Sequence, residues 1–380
     1  MKIYQSKNVY EAALERIEWI YNEFPRVVVA ISGGKDSTVI LHLTLEVARK
    51  LNRLPVIAHF LDQEAEWRQT IEYMYIVKEM PDVFLRWYQV EFKIFNSTSH
   101  TNDWLYCWKQ GENWMRPKEP DAITENIYGT DRFADFLNKH TAIEYPNEPC
   151  CIIGGVRAEE SPQRANGLCN DETYKGKTWG RLNNKKLSHY TFYPIYDWTF
   201  TDVWHYIAKN NHPYNAVYDL MYRNGIPTRR MRVSNLTHES AIHGLKDVQD
   251  IDRNTWEDLV ERLDSANAIK HLKNESLEPP KTLPFMFENW CEYRDYLLEN
   301  LITNTEIKEK MKRRFELADK NLVGTEFETD LYKEEILTIL INDYYFTKLN
   351  NFCSSYDKIN ITRKRQHAQG KIGGRQWNKQ

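Results

Sequence analysis

Six consecutive residues, Ser32-Gly33-Gly34-Lys35-Asp36-Ser37, combine the types that hold an anion. Two glycines let the backbone pass close to a ligand with its N–H groups turned inward, and a helix starting just after them adds partial positive charge at the same place. A second pair, Gly154-Gly155, leads into Arg157, Glu160, Ser161 and Arg164. Each arginine can give two parallel hydrogen bonds to a phosphate, Glu160 can orient an arginine, and Ser161 can cap the following turn. Between these stretches lies Asp62-Gln-Glu-Ala-Glu66, with three carboxylates in five residues. They either sit beside a ligand or cap the helix expected over 67–80, because acids favour helix N-termini.

The spacing excludes two other phosphate-binding loops. A Walker loop places four residues between its glycines before Gly-Lys-Ser/Thr, and a dinucleotide fingerprint needs three glycines as Gly-x-Gly-x-x-Gly. Neither pattern fits 32–37. No residue stands out as a covalent nucleophile.

The elements around these residues must place them at one edge. Val27 to Ile31 is a five-residue apolar run rich in β-branched types, which is a buried strand of a parallel sheet. Val39, Ile40, Leu43 and Val47 follow at helical spacing, with Asp36 and Ser37 where their side chains can satisfy the free N–H groups of the helix start. An amphipathic helix over 9–24 precedes the strand. Further strands are expected over 54–61, 83–92 and 149–155, and ligands in open α/β sheets sit at such strand ends. Thr201 is a suitable N-cap for a helix over 202–209. Between 96 and 120 the periodicity fails, and Trp104, Tyr106, Trp108 and Trp114 alternate with Lys109, Arg116 and Lys118. This insert either stacks on a nucleotide or nucleic acid, or is held down by its own aromatics. The polar stretch 166–186 reads as a mobile loop that either covers the site or meets a partner. Beyond 236 the spacing turns helical over 255–268, 290–301, 307–317 and 334–345. The expected division is an α/β domain over 1–235 and a helical extension over 236–380.

A formal net charge of −3 on 380 residues carries no overall nucleic-acid signature. The tail over 362–380 is different: Arg363, Lys364, Arg365, Lys371, Arg375 and Lys379 stand there without an acid, which suits phosphate backbones. The six cysteines form no Cys-x-x-Cys pair, and Cys150-Cys151 read as small packed thiols in a strand. No apolar leader or membrane-length run is present, so a reducing, cytoplasmic setting is expected.

Ser32 to Ser37, in this strand-to-helix setting, resembles the PP-loop of the ATP pyrophosphatase superfamily, which cleaves ATP between the α- and β-phosphates. Gly155-x-Arg157-x-x-Glu160-Ser161-x-x-Arg164 and Pro194-Ile195-x-x-Trp198-x-x-x-Asp202-Val203-Trp204, continued by His212-Pro-Tyr-Asn215 and Tyr218-Asp219, are similar to the PAPS (3′-phosphoadenylyl sulfate) reductase branch. The resemblance runs over 26–225. It implies a parallel-sheet α/β fold of the adenine nucleotide α-hydrolase type. It also implies ATP or PAPS as ligand, with Mg²⁺ on the phosphates. It puts Ser32, Gly33, Gly34, Lys35, Asp36, Ser37, Gly155, Arg157 and Glu160 on the nucleotide, and Phe60 and Asp62 beside the nucleoside. Lys35, Asp36, Arg157 and Arg164 form the implied catalytic group.

The chain departs from the branch in lacking the Cys-Gly pair and following His that supply the reductase nucleophile. With its Trp-rich insert and helical C-terminal part, the layout resembles the prophage-associated IbrA-type subgroup, typically encoded beside a ParB-like partner. The implied reaction is attack on the α-phosphate of ATP, giving AMP and pyrophosphate or an adenylylated acceptor. Two alternatives stand beside it: a PAPS reductase or sulfotransfer enzyme using a partner's thiol, and a nucleotide-dependent DNA-binding or transcriptional co-regulator working with a ParB-like protein.

Overall fold

The structure is a computed structural model that describes residues 6–95, 104–169, 172–233, 235–236, 245–263 and 278–356. The basic tail over 362–380 lies outside the described residues. The chain packs as two compact units: Met1–Ile94, Tyr106–Leu236 and Asp247–Asp264 form one, and Phe95–Leu105, Thr237–Lys246 and Ser265–Gln380 the other. Where composition suggests a single division at 235/236, the packing follows two excursions of the chain.

In the first unit, helix α1 (Val9–Glu23) starts at Asn8, whose side chain accepts from Glu11 N at 2.9 Å. Strand β1 (Arg26–Ala30) follows, then helix α2 (Lys35–Lys50), strand β2 (Val56–Leu61), helix α3 (Arg68–Lys78) and strand β3 (Val83–Tyr88). Two short strands, β4 (Phe92–Phe95) and β5 (Trp104–Cys107), stand outside the main sheet. Helix α4 (Phe133–Glu144), strand β6 (Cys150–Ile153), helix α5 (Pro162–Cys169), strands β7 (Gly180–Asn184) and β8 (His189–Phe192), and helices α6 (Phe200–Lys209) and α7 (Val217–Arg223) complete the order. Two helices, α8 (Leu245–Ile251), which belongs to this unit from Asp247 on, and α9 (Arg253–Arg262), come after them.

The sheet order is β3-β2-β1-β6-β8-β7. The first five strands run parallel, and β7 is an antiparallel edge on β8. Val27, Val28 and Val29 of β1 are buried. One core joins Ile17 and Ile20 of α1, Ile40 and Leu43 of α2, Phe60 of β2 and Phe192 of β8. Burying such side chains is worth about 1.5–3 kcal/mol each, and this is what keeps β1 in the middle.

Three expectations need correction. The strand expected over 83–92 ends at Tyr88, because the Gln89 N–H turns to the Ile123 carbonyl (2.9 Å) and its amide turns to Asp62 (2.9 Å). The polar stretch 166–186 is not a loop throughout: α5 ends within it and β7 follows, disguised by the polar residues an edge strand carries. Gly180 of β7 lies so close to Phe192 that a Cβ there would stand 2.5 Å from the ring. Finally, Thr199 rather than Thr201 caps α6. Its hydroxyl accepts from Asp202 N at 3.2 Å while the Asp202 carboxylate accepts from Thr199 N at 2.7 Å, a reciprocal capping box.

In the second unit, helices α10 (Trp290–Leu301), α11 (Thr305–Leu322) and α12 (Glu328–Leu340) share a core that includes Leu298, Met311, Phe315, Leu331 and Ile339. Buried Arg294 of α10 runs through it, donating to Asp319 of α11 at 2.9 Å and to fully buried Glu335 of α12 at 2.6 Å. Among the described residues, no helix is long and apolar enough to cross a membrane. Removing one partner of a buried ion pair strands the other charge and costs about 3–5 kcal/mol. Arg294→Met is therefore expected to lower the unfolding free energy of the helical unit, read from urea denaturation, by that amount, and the double change Arg294→Met/Glu335→Leu by clearly less. Equal losses in the two variants would contradict this account.

Candidate nucleotide site

Strand β1 lies between β2 and β6, so the loops that leave β1 and β6 diverge above their C-terminal ends. Such a switch point is the place where open α/β sheets take ligands. The loop after β1 is 32–37. Gly33 is left-handed (φ 73°), and a Cβ there would stand 2.7 Å from Thr70 Cγ2 on α3. Asn215 Nδ2 donates to the Gly33 carbonyl (3.1 Å) and to Thr70 Oγ1 (2.9 Å). The Gly34 carbonyl accepts from the Ser37 hydroxyl (2.9 Å), the Thr38 hydroxyl (3.0 Å) and Thr38 N (3.0 Å). Ser37 Oγ accepts from Ser32 N at 3.2 Å, which ties the loop's two ends together.

Asp36 and Ser37 do not cap α2. The helix begins at Lys35 with Gly34 as its cap, so both residues lie in its first turn. The Lys35 N–H there is taken by the Tyr218 hydroxyl at 3.1 Å. Those of Asp36 and Ser37 find no partner among the described residues. Unpaired donors at a helix start, reinforced by the helix dipole, suit an anion.

The charges converge on one carboxylate. Asp36 accepts from Lys35 Nζ at 2.8 Å and from Arg157 Nε at 2.6 Å. Both cations are buried, Lys35 to 6 % exposure and Arg157 to 3 %. Arg157 Nη1 also donates to Glu159 (3.0 Å) and to the Trp198 carbonyl (3.4 Å). Gly155 permits the meeting: a Cβ there would lie 2.9 Å from the Asp36 carbonyl carbon and 3.0 Å from Ser37 N. Glu160 accepts from Arg157 N at 3.3 Å and pairs with half-exposed Arg164. Burial, and then the neighbouring charge of Arg232, pushes the Arg164 pKa down. The structure thus brings Ser32 to Ser37, Gly155 and Arg157 together, with Glu160 and Arg164 bound to each other beside them.

Phe60 and Asp62 are placed differently. The Phe60 ring lies in the core, edge-on to Trp87 at 5.3 Å, so only its backbone reaches the strand end. Asp62 is fully buried. Its carboxylate accepts from Trp87 Nε1 (2.8 Å), Gln89 Nε2 (2.9 Å), Glu64 N (2.9 Å) and Arg116. Glu64, in a left-handed conformation (φ 66°), accepts from Trp108 N (2.7 Å), Met115 N (3.3 Å) and Arg262 Nε (2.7 Å). Burial, with Asp62 nearby, pushes the Glu66 carboxyl up to about 8. Neither Asp62 nor Glu64 caps α3, whose first N–H, that of Arg68, goes to Thr255 Oγ1 of α9 at 3.1 Å. The carboxylates instead fasten the insert. Arg116 lies 5.0 Å from the Trp108 ring centre, Lys118 lies 4.8 Å from that of Trp114, and Lys109 pairs with Glu112 at 3.6 Å. The aromatics hold the insert down, and Arg116 and Lys109 are neutralised within the protein.

Asn215, Tyr218, Thr70 and Arg262 were not singled out by sequence reasoning as site residues. Asn215 and Tyr218 do sit in a motif stretch, but their target loop is more than 180 residues away, so nothing local reveals the contact. Cys107, Cys150 and Cys151 are buried, and burial pushes their thiols up, Cys150 to about 12.

The two glycines of the site respond differently to a methyl group. A Cβ on Gly34, whose φ of −81° is ordinary, meets nothing nearer than 3.4 Å. Gly34→Ala is expected to keep its thermal stability within about 1 kcal/mol of the parent. Gly155→Ala, driven into the α2 backbone, is expected to lose about 1–3 kcal/mol. A melt in which the two behave alike would contradict this geometry.

Comparison with known proteins gives the chain's family. Residues 26–224, more than half of the chain, match the family described as the phosphoadenosine phosphosulfate reductase domain. The chain is 35 % identical over 237 residues to the uncharacterized protein YbdN of Escherichia coli, covering 60 % of this chain and 58 % of that one. It therefore spans less than two thirds of that relative's length. It is 28 % identical over 226 residues to an adenosine 5′-phosphosulfate reductase of Lysinibacillus sphaericus, covering 58 % and 79 %. Among solved structures it is similar to a PAPS reductase of Candida auris in a phosphate complex (TM-score 0.31, 14 % identity, 58 % of this chain and 93 % of that one). It is also similar to the FMN adenylyltransferase of Candida glabrata with FMN and an ATP analogue (TM-score 0.36, 13 % identity, 62 % and 66 %). By the match over 26–224, the chain belongs to the phosphoadenosine phosphosulfate reductase domain family.

Proposed function

We propose that the chain binds an adenine nucleotide, ATP in the first place, with its β- and γ-phosphates in the loop Ser32 to Ser37, and catalyses cleavage at the α–β bond. The observation that carries this reading is the convergence, at the switch point, of unpaired helix-start N–H groups with Lys35 and Arg157, held by a single carboxylate. Lys35 and Arg157 bring two buried cations to the loop, where a departing pyrophosphate requires positive charge. The Nη2 end of Arg157 makes no hydrogen bond among the described residues and faces no other claim on its protons.

In this reading Mg²⁺ would come with ATP, as hard phosphate oxygens favour, and would supply positive charge to the phosphates. Among the described residues there is no grouping of three or more His, Cys, Asp or Glu side chains poised to hold a metal. Lys35 and Arg157 neutralise charge that builds on the leaving phosphates, and Asp36 keeps both aimed. The acceptor attacks the α-phosphorus in line, the bond to the bridging oxygen breaks, and pyrophosphate carries away the electron pair. The products are AMP, if water attacks, or an adenylylated acceptor. The buried thiols of Cys107, Cys150 and Cys151, pushed up by burial, support this over a reductase reaction run from those cysteines.

The test is product analysis with α-labelled ATP and Mg²⁺, comparing the parent with Ser32→Ala/Asp36→Ala. Labelled AMP or a labelled adduct from the parent is expected, falling at least about 10²-fold in the variant, the scale on which electrostatic donors act. Formation of ADP alone, or tight ATP binding without turnover, would refute α–β cleavage.

A further inference from the structure

Tyr218 of α7 is 3 % exposed, and its ring is fixed edge-on against Trp204 at 5.3 Å. Its hydroxyl accepts from Lys35 N at 3.1 Å. A phenol hydroxyl is also a donor, and among the described residues its proton meets no acceptor. A buried donor left without an acceptor is costly, and buried tyrosine hydroxyls are normally paired. Burial raises the phenol pKa, so the proton is present to be given.

That hydroxyl lies beside Gly34. A Cβ on Gly34 would lie 3.5 Å from Tyr218 Oη and 3.4 Å from Ser32 Oγ, with no other atom within 4 Å. Two hydroxyls therefore flank the bare Cα of Gly34 at the start of α2, beside the unpaired N–H groups of Asp36 and Ser37. The backbone does not demand glycine there, since φ is −81°. What glycine leaves is open space beside the Tyr218 hydroxyl; Ser32 Oγ is already 3.3 Å from Ser37 Oγ, whose own proton goes to the Gly34 carbonyl. Lys35 Nζ, 5.8 Å from the Tyr218 ring centre, supplies the charge nearby.

We propose that Tyr218 is itself a ligand of the loop's anion, taking the Lys35 N–H on its oxygen and giving its proton to a phosphoryl oxygen of a bound diphosphate. This rests on the reading of the loop as a phosphate site. It adds a binding residue from α7 that composition and spacing did not assign.

The probe is inorganic pyrophosphate, titrated calorimetrically into the full chain and into Tyr218→Phe. The variant, titrated at a temperature where its melt shows it folded, is expected to bind about tenfold more weakly, as one lost hydrogen bond to a charged group implies. In the parent labelled at tyrosine Cζ, one resonance absent from Tyr218→Phe is expected to shift when pyrophosphate is added. If Tyr218→Phe misfolds, 3-fluorotyrosine placed at 218 keeps the ring and strengthens the donor, and is expected to tighten binding. Equal affinity of the parent and a folded variant overturns the role of Tyr218 and leaves the loop as a phosphate site. A parent that binds neither pyrophosphate nor ATP overturns both.

Discussion

A single carboxylate holds the centre of the first unit together. Asp36 lies between Lys35, on the helix that leaves β1, and Arg157, on the segment that leaves β6. Two unit charges about 4 Å apart interact with roughly 4 kcal/mol at an effective dielectric of 20. Two buried cations facing one another without Asp36 would repel on that scale. With it, they are fixed and poised, and the diverging loops of the switch point become one surface. The close approach allowed by Gly155 is the geometric half of the same constraint.

A second set of buried carboxylates does different work a few residues beyond β2. Asp62 and Glu64 gather donors from β3, the insert and α9, and so turn a loop into a rigid margin of the site. The left-handed backbone at Glu64 persists because three donors hold its side chain. Together the two sets of acids tie the loops at the site edge to one another: Asp36 joins Lys35 and Arg157, and the buried Asp62 and Glu64 fasten the insert.

Much of this was legible in the residues. The apolar run Val27 to Ile31 and the helical spacing after it reveal strand, turn and helix, and the Gly-Arg-Glu-Arg order at 155–164 marks the opposite wall. The element type was clear because long, strongly patterned segments carry their own signal. The cap of α6 was readable locally, since Thr199-x-x-Asp202 has capping-box spacing and Thr201-x-x-Trp204 does not. Other misassigned features depend on context, and β7 is hidden by the polarity of an edge. Asp62 looks like a ligand-side acid and proves to be an internal one, because its donors come from Trp87, Gln89 and Arg116, all distant in sequence.

Arg262 joins the end of the first unit's sequence to its middle, reaching Glu64 at 2.7 Å across almost two hundred residues. During synthesis the chain grows from its N-terminus, so β1, β2, β3 and β6 are all available before Arg262 exists. The Glu64 carboxylate has to wait without its partner while the intervening chain is made. The segment that matches the family ends at residue 224 and is thus not, by itself, the whole of what folds. The last turn of α9 closes the structure from outside it, and a ribosome must finish that turn before the margin of the site can set.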